Sequence, residues 1–158
     1  MNLDTRQKII VYLENQMARS EARLQAYTTD DRGAKLPKRS AFLVLSKYLK
    51  EFSAGKSEPR WVAIPGLRGT GKTTLLAQLY TELNCDKGHK LYMSLDDATR
   101  TLGVSLSDIL SIYEEMINSS FENLSSPVYL FLDEVQYEPN WGLTLKTVYD
   151  RSKKVFIL

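Results

Sequence analysis

The chain has 158 residues, a length that suits one domain with a hydrophobic core and is too short to predict two. With 43% hydrophobic and 25% charged residues, its composition is that of a soluble globular protein. No apolar run approaches the roughly 18–20 residues of a membrane-spanning helix, and the N-terminus lacks the layout of a secretory signal. The single cysteine, Cys85, cannot form an internal disulfide and fits a reducing compartment. These features predict a cytoplasmic protein with no membrane partner.

The net charge of +2 conceals an uneven distribution along the chain. Residues 1–60 contain 12 Lys and Arg against 7 Asp and Glu, whereas residues 61–158 contain 9 against 12. A basic segment of this kind can contact nucleic acid or an acidic partner. Its cationic residues are scattered rather than clustered, so we favour a solvated helical surface, and nucleic acid is only a weakly supported partner.

In chain order, the N-terminal part is predicted to be helical. Apolar residues recur near a 3.6-residue period over residues 5–27, and a second apolar helix is predicted over residues 40–53. A polar loop at residues 28–33 separates the two helices, and a stretch with Gly and Pro at residues 55–59 ends the second. Residues 1–58 are therefore predicted to form an N-terminal helical segment.

From Trp61 onward, short apolar runs alternate with helical patterns. The predicted strands cover residues 61–64, 90–95, 128–132 and 154–158, and the predicted helices cover residues 72–83, 107–119 and 141–151. This alternation indicates an α/β fold with a parallel sheet between helices. The run at residues 128–132 is the most apolar, so it is predicted to lie centrally in the sheet. The last predicted strand ends the sequence without a turn, so the core at residues 59–158 is expected to be incomplete at its C-terminal end.

A glycine-rich segment after the first predicted strand fits the phosphate-loop pattern G-x-x-x-x-G-K-[ST] at every position. Its glycines let consecutive backbone N–H groups face phosphate oxygens, and the N-terminus of the following helix adds positive potential. Lys72 is predicted to reach the β- and γ-phosphates, and the Thr73 hydroxyl to bind Mg²⁺. The predicted nucleotide-binding residues are Gly66, Leu67, Arg68, Gly69, Thr70, Gly71, Lys72, Thr73 and Thr74.

The apolar strand at residues 128–132 runs directly into two carboxylates, Asp133 and Glu134. Such carboxylates at the end of a buried strand are costly without a positive partner, and Mg²⁺ held between Thr73 and the phosphates is that partner. Asp133 is therefore predicted to bind the metal, mostly through a bound water. Glu134 is predicted to be the general base for hydrolysis of a phosphoanhydride. The predicted metal residues are thus Thr73 and Asp133, and the predicted catalytic residues are Glu134 and Lys72.

Polar residues near these motifs allow more than one role. For Arg68 solvent exposure is favoured over a phosphate or partner contact, and for Thr74 an α-phosphate contact and helix capping are equally supported. For Gln136 a hydrogen bond within its own loop is favoured over a contact with water or phosphate. Asp96 and Asp97 follow the second predicted strand at the edge where such sheets bind ligands, but a capping or loop role is favoured.

Several segments together carry a family resemblance. They are Gly-Leu-Arg-Gly-Thr-Gly-Lys-Thr-Thr-Leu-Leu, Leu-Tyr-Met-Ser-Leu-Asp-Asp, and Tyr-Leu-Phe-Leu-Asp-Glu-Val-Gln followed by Pro139-Asn140-Trp141 and Val148-Tyr149-Asp150. These segments resemble prokaryotic AAA-type P-loop ATPases, and most closely the group that is usually fused to a C-terminal nuclease-like domain.

The resemblance implies ATP rather than GTP, Mg²⁺ as the metal, and a sheet with the phosphate-loop strand in its middle. It assigns Lys72 and Thr73 to phosphate and metal, Asp133 to the metal, and Glu134 to activation of water. In the family, the last strand continues into a Thr-Gly-Ser-Ser segment, and an arginine finger and a lid follow. These parts do not occur within the 158 residues, so turnover by this chain is expected to be weak.

Other functional classes fit less well. A GTPase needs an Asn-Lys-x-Asp motif, and a transporter ATPase needs Leu-Ser-Gly-Gly-Gln; neither occurs in the sequence. A small-molecule kinase shares the phosphate loop, but the position of Glu134 favours water as the acceptor. The main alternative is a nucleotide-dependent interaction module that does not hydrolyse ATP and that binds a protein partner or a second copy. A DNA-tethered ATPase is a third reading.

Overall fold

The computed structural model describes all 158 residues and contains six α-helices, three β-strands and three short 3₁₀ turns. The helices are α1 (Leu3–Gln25), α2 (Ser40–Ser53), α3 (Lys72–Glu82), α4 (Leu95–Leu102), α5 (Leu106–Met116) and α6 (Trp141–Arg151). The strands are β1 (Lys90–Ser94), β2 (Val128–Asp133) and β3 (Val155–Ile157). Five of the helices and these three strands lie where the sequence predicts them, which confirms the α/β class.

The three strands form a parallel sheet in the order β1-β2-β3, with β2 in the centre as predicted. Successive side chains of a strand point to opposite faces, so β2 divides its residues between two cores. Leu130 and Leu132 join the core formed largely with α1, α4, α5 and α6, whereas Tyr129 and Phe131 join the core under α2 and α3. All six residues of β2 are buried. The register places Ser94 beside Asp133 at the carboxyl edge of the sheet.

The predicted strand at residues 61–64 is reduced to one parallel bridge between Trp61 and Ile157. The bridge rests on two hydrogen bonds, from the Ile157 N–H to the Arg60 carbonyl and from the Val62 N–H to the Ile157 carbonyl. In this structure the segment bridges to β3 alone, on the side of β3 away from β2, and does not lie in the middle of the sheet as the resemblance implied.

Helix α4 was not predicted from the sequence. The apolar run of β1 continues into the buried Leu95, and the sequence pattern therefore predicts a strand through this residue. In the structure, Leu95 is instead the first residue of α4. Asp96 and Asp97 lie in the first turn of α4, where carboxylates interact favourably with the helix dipole. The N-cap residue is Ser94, and neither carboxylate caps the helix. Asp96 accepts from the Arg100 guanidinium, and Asp97 accepts from the Tyr12 hydroxyl. The favoured capping or loop role is therefore replaced by a place inside the first turn of α4.

Helix α2 is fixed to the sheet by its last turn. Phe52 is 3% exposed and makes edge-on contacts with Tyr129 at 5.7 Å and Phe156 at 5.3 Å between ring centroids. Burial of one such side chain contributes roughly 1.5–3 kcal/mol. The hydroxyl groups of Ser53 and Tyr129 lie 2.6 Å apart. This anchor sets where the opposite end of α2 lies, and that end begins with Arg39 as its N-cap residue.

Helix α3 is held at its C-terminal end by a buried cation from β1. The Lys90 ammonium donates to the carbonyls of Tyr80 and Leu83, each at 3.1 Å, and pairs with Glu21 of α1 at 2.9 Å. A cation at this end satisfies the last carbonyls of the helix and complements its dipole. Helices α1 and α3 also pack directly against each other. The N-terminus of α3, which follows the phosphate loop, is thereby given a fixed direction.

None of the helices is both long enough and apolar enough to span a bilayer.

Candidate nucleotide site

The phosphate loop lies between the Trp61 bridge and α3. Gly69 and Gly71 have left-handed backbone conformations, with φ of 81° and 84°, that non-glycine residues adopt at a cost. Gly71 is the N-cap residue of α3 and provides no side-chain cap. The first N–H groups of a helix have no partner within it, so those of α3 remain available to an anion.

The side chain of Lys72 folds back across the loop. Its ammonium donates to the carbonyls of Gly66 and Leu67, both at 3.0 Å, and the Thr70 hydroxyl donates to the Leu67 carbonyl at 2.9 Å. These bonds close the loop around the cation. Because carbonyl oxygens carry only partial charge, phosphate oxygens are stronger acceptors for the same ammonium.

Thr73 and Asp133 meet at the carboxyl edge of the sheet. The Thr73 hydroxyl donates to the Asp133 carboxylate at 2.6 Å, although 60 residues separate the two in sequence. Asp133 is 5% exposed, and its other oxygen accepts from the Glu134 N–H at 3.0 Å. No cationic side chain forms a salt bridge with Asp133, so the chain buries this carboxylate without neutralising it. A buried anion of this kind is stabilised by a cation bound beside it.

The donor set at this point fits Mg²⁺. A hydroxyl and a carboxylate are the hard oxygen ligands that Mg²⁺ takes, usually from one or two protein groups with phosphates and waters completing the shell. No group of three or more His, Cys, Asp or Glu side chains comes together anywhere in the chain. Thr73 and Asp133 therefore fit a metal ion that a bound nucleotide helps to hold.

Tyr92 is a member of this site that the sequence analysis missed. Its hydroxyl donates to the same Asp133 oxygen at 3.4 Å, from the neighbouring strand β1. Burial raises the pKa of the Tyr92 phenol above its ordinary value, and the nearby Asp133 carboxylate raises it further. Tyr92 thus stays protonated and remains a donor to Asp133. The parallel pairing of β1 with β2 brings the two together, and sequence spacing alone gives no signal for it.

Glu134 has a left-handed backbone, with φ of 53°, which is uncommon for a residue other than glycine. This turn ends β2 and starts the 3₁₀ turn Val135–Tyr137. The Gln136 side-chain amide donates to the Glu134 carboxylate, so Gln136 does bond within its own loop, as favoured. Both residues line a cavity that also includes Lys72 and Asp133. Strain of this sort is found at functional sites and is consistent with a role for Glu134.

The remaining loop residues differ in exposure. Leu67 is 82% exposed and Arg68 is also exposed, in agreement with the favoured solvent position of Arg68. Thr74 is half-buried in the first turn of α3 and is not its N-cap residue, which is Gly71. Helix capping is therefore not the role of Thr74.

A contact from outside the motif was also missed. Arg39, 31 residues before Thr70, donates to the Thr70 carbonyl at 2.6 Å, and its guanidinium lies against Gly71. A Cβ atom added at Gly71 would stand 3.3 Å from this guanidinium, so glycine permits the close approach as well as the backbone turn. A single Arg at the start of a helix is not a recognisable signal in the sequence.

Comparison with known proteins identifies the family to which this chain belongs. The profile of a family described as AAA domain matches residues 58–158, which include the phosphate loop, Asp133 and Glu134. The chain belongs to this AAA domain family. It is also 31% identical over 149 residues to Uncharacterized protein MJ1637 of Methanocaldococcus jannaschii. That match covers 93% of the chain but 29% of the relative's length. No solved structure matches the chain significantly.

Membership of the AAA domain family confirms the AAA-type resemblance and the P-loop α/β class predicted from sequence. It supports nucleotide binding and an ATPase-type protein. The matched residues begin at 58, so α1 and α2 precede the matched region. Arg39, which contacts the phosphate loop, lies in that preceding part.

Proposed function

We propose that the chain binds ATP together with Mg²⁺ and that the complete protein hydrolyses ATP to ADP and phosphate. The single observation that carries this proposal is the 2.6 Å hydrogen bond between Thr73 and Asp133. It joins the phosphate loop to the buried acidic strand end, so the two predicted halves of the site meet at one point. Residues 59–158 are the ATPase core in this proposal, and residues 1–58 are the N-terminal helical segment.

Each residue has a defined part in binding. The free N–H groups at the start of α3 receive phosphate oxygens, and Lys72 exchanges its bonds to the carbonyls of Gly66 and Leu67 for stronger bonds to the β- and γ-phosphates. Thr73 and Asp133 hold Mg²⁺, with Asp133 acting mostly through a water. When bound, Mg²⁺ supplies positive charge that stabilises the charge developing on the phosphates.

Glu134 is the general base of the proposed reaction. It accepts a proton from a water whose oxygen forms the new bond to the γ-phosphorus. The bond from that phosphorus to the β–γ bridging oxygen breaks, and ADP leaves with the bonding electron pair. The Gln136 side-chain amide donates to the Glu134 carboxylate, so this contact has to break or shift before the base acts.

The alternative function is a nucleotide-dependent interaction module that does not hydrolyse ATP. The contact between Gln136 and Glu134 favours it, because it engages the base. The contact of Arg39 with the phosphate loop also favours it, because it links the nucleotide site to the N-terminal helices. In this reading a protein partner or a second copy binds those helices when nucleotide is present. Phosphate release that depends on Glu134 separates the two functions.

A cytoplasmic location and a fusion to a C-terminal nuclease-like domain remain predictions from the sequence and its resemblance. Nucleic acid also remains a weakly supported partner. The salt-dependence of any DNA binding by the purified chain would test that partner.

Nucleotide binding predicts a specific thermal stabilisation. A ligand at about 100 times its Kd stabilises a protein by about 2.7 kcal/mol, which for a chain of this size corresponds to roughly 5–10 °C in Tm. We expect a rise of that order with ATP and MgCl₂, and a much smaller rise when EDTA removes the metal. Differential scanning fluorimetry measures both. A Tm that is indifferent to ATP, ADP and Mg²⁺ would contradict the proposal.

A further inference from the structure

A second cavity adjoins the phosphate loop on the side of the N-terminal segment. It has a volume of about 200 Å³. Its walls come from two separate parts of the chain and are formed by Leu36, Pro37, Arg39, Gly71, Thr74, Leu75 and Gln78. Because it shares Gly71 and Thr74 with the phosphate loop, a molecule bound by its phosphates at the loop has direct access to it.

The α3 side of this cavity is one face of a helix. Gly71, Thr74 and Gln78 are three and four residues apart, and residues at this spacing lie on the same face of a helix. Gln78 therefore lies about one turn, roughly 6 Å, beyond Thr74 along α3. This face thus connects the phosphate loop to Gln78.

Gln78 is 6% exposed and is the one amide side chain in the wall. Its NH₂ group donates to the Leu36 carbonyl at 3.2 Å. A carbonyl can only accept, so this bond fixes the orientation of the amide and identifies the other atom as the oxygen. The other amide atom, Gln78 Oε1, has no hydrogen-bond donor within the chain and remains free to accept. The Gln78 side chain borders both this cavity and a neighbouring one lined by Glu21, Lys35 and Thr81.

Arg39 closes the cavity beside the loop. Its Nη1 donates to the Thr70 carbonyl at 2.6 Å, and its guanidinium lies against Gly71. A planar guanidinium offers a surface on which an aromatic ring can stack. The wall therefore combines a stacking surface, the apolar side chains of Leu36, Pro37 and Leu75, and one acceptor.

We propose that this cavity receives the purine ring and that Gln78 Oε1 accepts a hydrogen bond from the 6-amino group of adenine. Gln78 is then the residue that selects ATP over nucleotides with a 6-oxo group. A 6-oxo purine would place an acceptor against an acceptor and leave Gln78 Oε1 unpaired, which costs binding. This assignment rests on the proposed function, since it requires the phosphates to occupy the loop.

The test compares ATP with inosine triphosphate (ITP), which carries oxygen in place of the 6-amino group. We expect the wild-type chain to bind Mg²⁺·ATP at least about tenfold more tightly than Mg²⁺·ITP, since loss of one buried hydrogen bond has an effect of this order. In Gln78→Leu, which keeps the side-chain bulk and removes the acceptor, we expect the two affinities to agree within about threefold. Calorimetry measures all four dissociation constants.

Thr81→Val is the matched control, because Thr81 is on α3 outside the cavity wall and its hydroxyl bonds only to backbone carbonyls of its own helix. It is expected to keep the wild-type preference. Equal binding of ATP and ITP by the wild-type chain would overturn the assignment, even if Gln78→Leu failed to fold. A preference that persists in folded Gln78→Leu would also overturn it. Failure of the wild-type chain to bind either triphosphate would instead contradict the proposed function.

Discussion

Replacing Lys72 with alanine is expected to weaken Mg²⁺·ATP binding by at least about 100-fold. The ammonium is predicted to bond to two phosphate groups, and each charge-assisted hydrogen bond contributes about 1.5–3 kcal/mol. Its partners in the structure are two exposed loop carbonyls, so the substitution removes little from the stability of the fold. Calorimetric titration gives the affinity, and thermal melting shows that the variant is folded.

The matched control for this prediction is Lys87→Ala. Lys87 is an exposed lysine in the turn before β1, and it takes part in no salt bridge. We expect this variant to bind Mg²⁺·ATP as the wild-type chain does. If Lys72→Ala bound Mg²⁺·ATP with unchanged affinity, the phosphates would not occupy the loop. The proposed binding of Mg²⁺ by Thr73 and Asp133 would then also be wrong.

Replacing Glu134 with glutamine is expected to lower phosphate release by about 10²–10³-fold, because a general base contributes an effect of this size. The amide is nearly isosteric but cannot accept the proton of the attacking water. Binding of Mg²⁺·ATP is expected to change by less than about threefold, since Glu134 contacts neither the phosphates nor the metal in the proposed mechanism. A phosphate-release assay at saturating ATP measures the rate. Glu14→Gln, an exposed site on α1 without a salt bridge, is the control.

Two results would change this account of Glu134. Unaltered phosphate release in Glu134→Gln would show that another group acts as the base. A wild-type chain that binds ATP tightly and releases no phosphate would favour the non-hydrolysing interaction module. In that case Gln136→Ala is informative, because it frees the Glu134 carboxylate from the amide that engages it.

Much of the fold and the centre of the site follow from local sequence patterns. The phosphate loop is predictable because a continuous eight-residue motif sets both its glycine turns and its helix start. Strand β2 is predictable because a short, fully apolar run that ends in two carboxylates is typical of a buried central strand that ends at the edge of the sheet. The meeting of Thr73 with Asp133 follows from those two elements, since parallel strands and the helices between them bring their functional ends to one edge of the sheet.

Long-range pairing accounts for what the sequence did not predict. Trp61 begins an apolar run that is typical of a strand. A strand also needs a hydrogen-bonded neighbouring strand, and here only Ile157 pairs with this run. Tyr92 reaches Asp133 through the register of two strands that 33 residues separate along the chain. Arg39 and Gln78 become part of a site only when α2 packs on α3, and their own spacing carries no signal. Helix α4 is short and starts within an apolar run, where strand and helix patterns cannot be told apart.

Titration of ATP into the purified wild-type chain, with Mg²⁺ and then with EDTA, tests nucleotide binding most directly. We predict saturable binding of one ATP in the micromolar range that weakens strongly when EDTA removes the metal. A chain that gives a cooperative thermal transition, and is therefore folded, but shows no binding of ATP or ADP under either condition would contradict the account of the site.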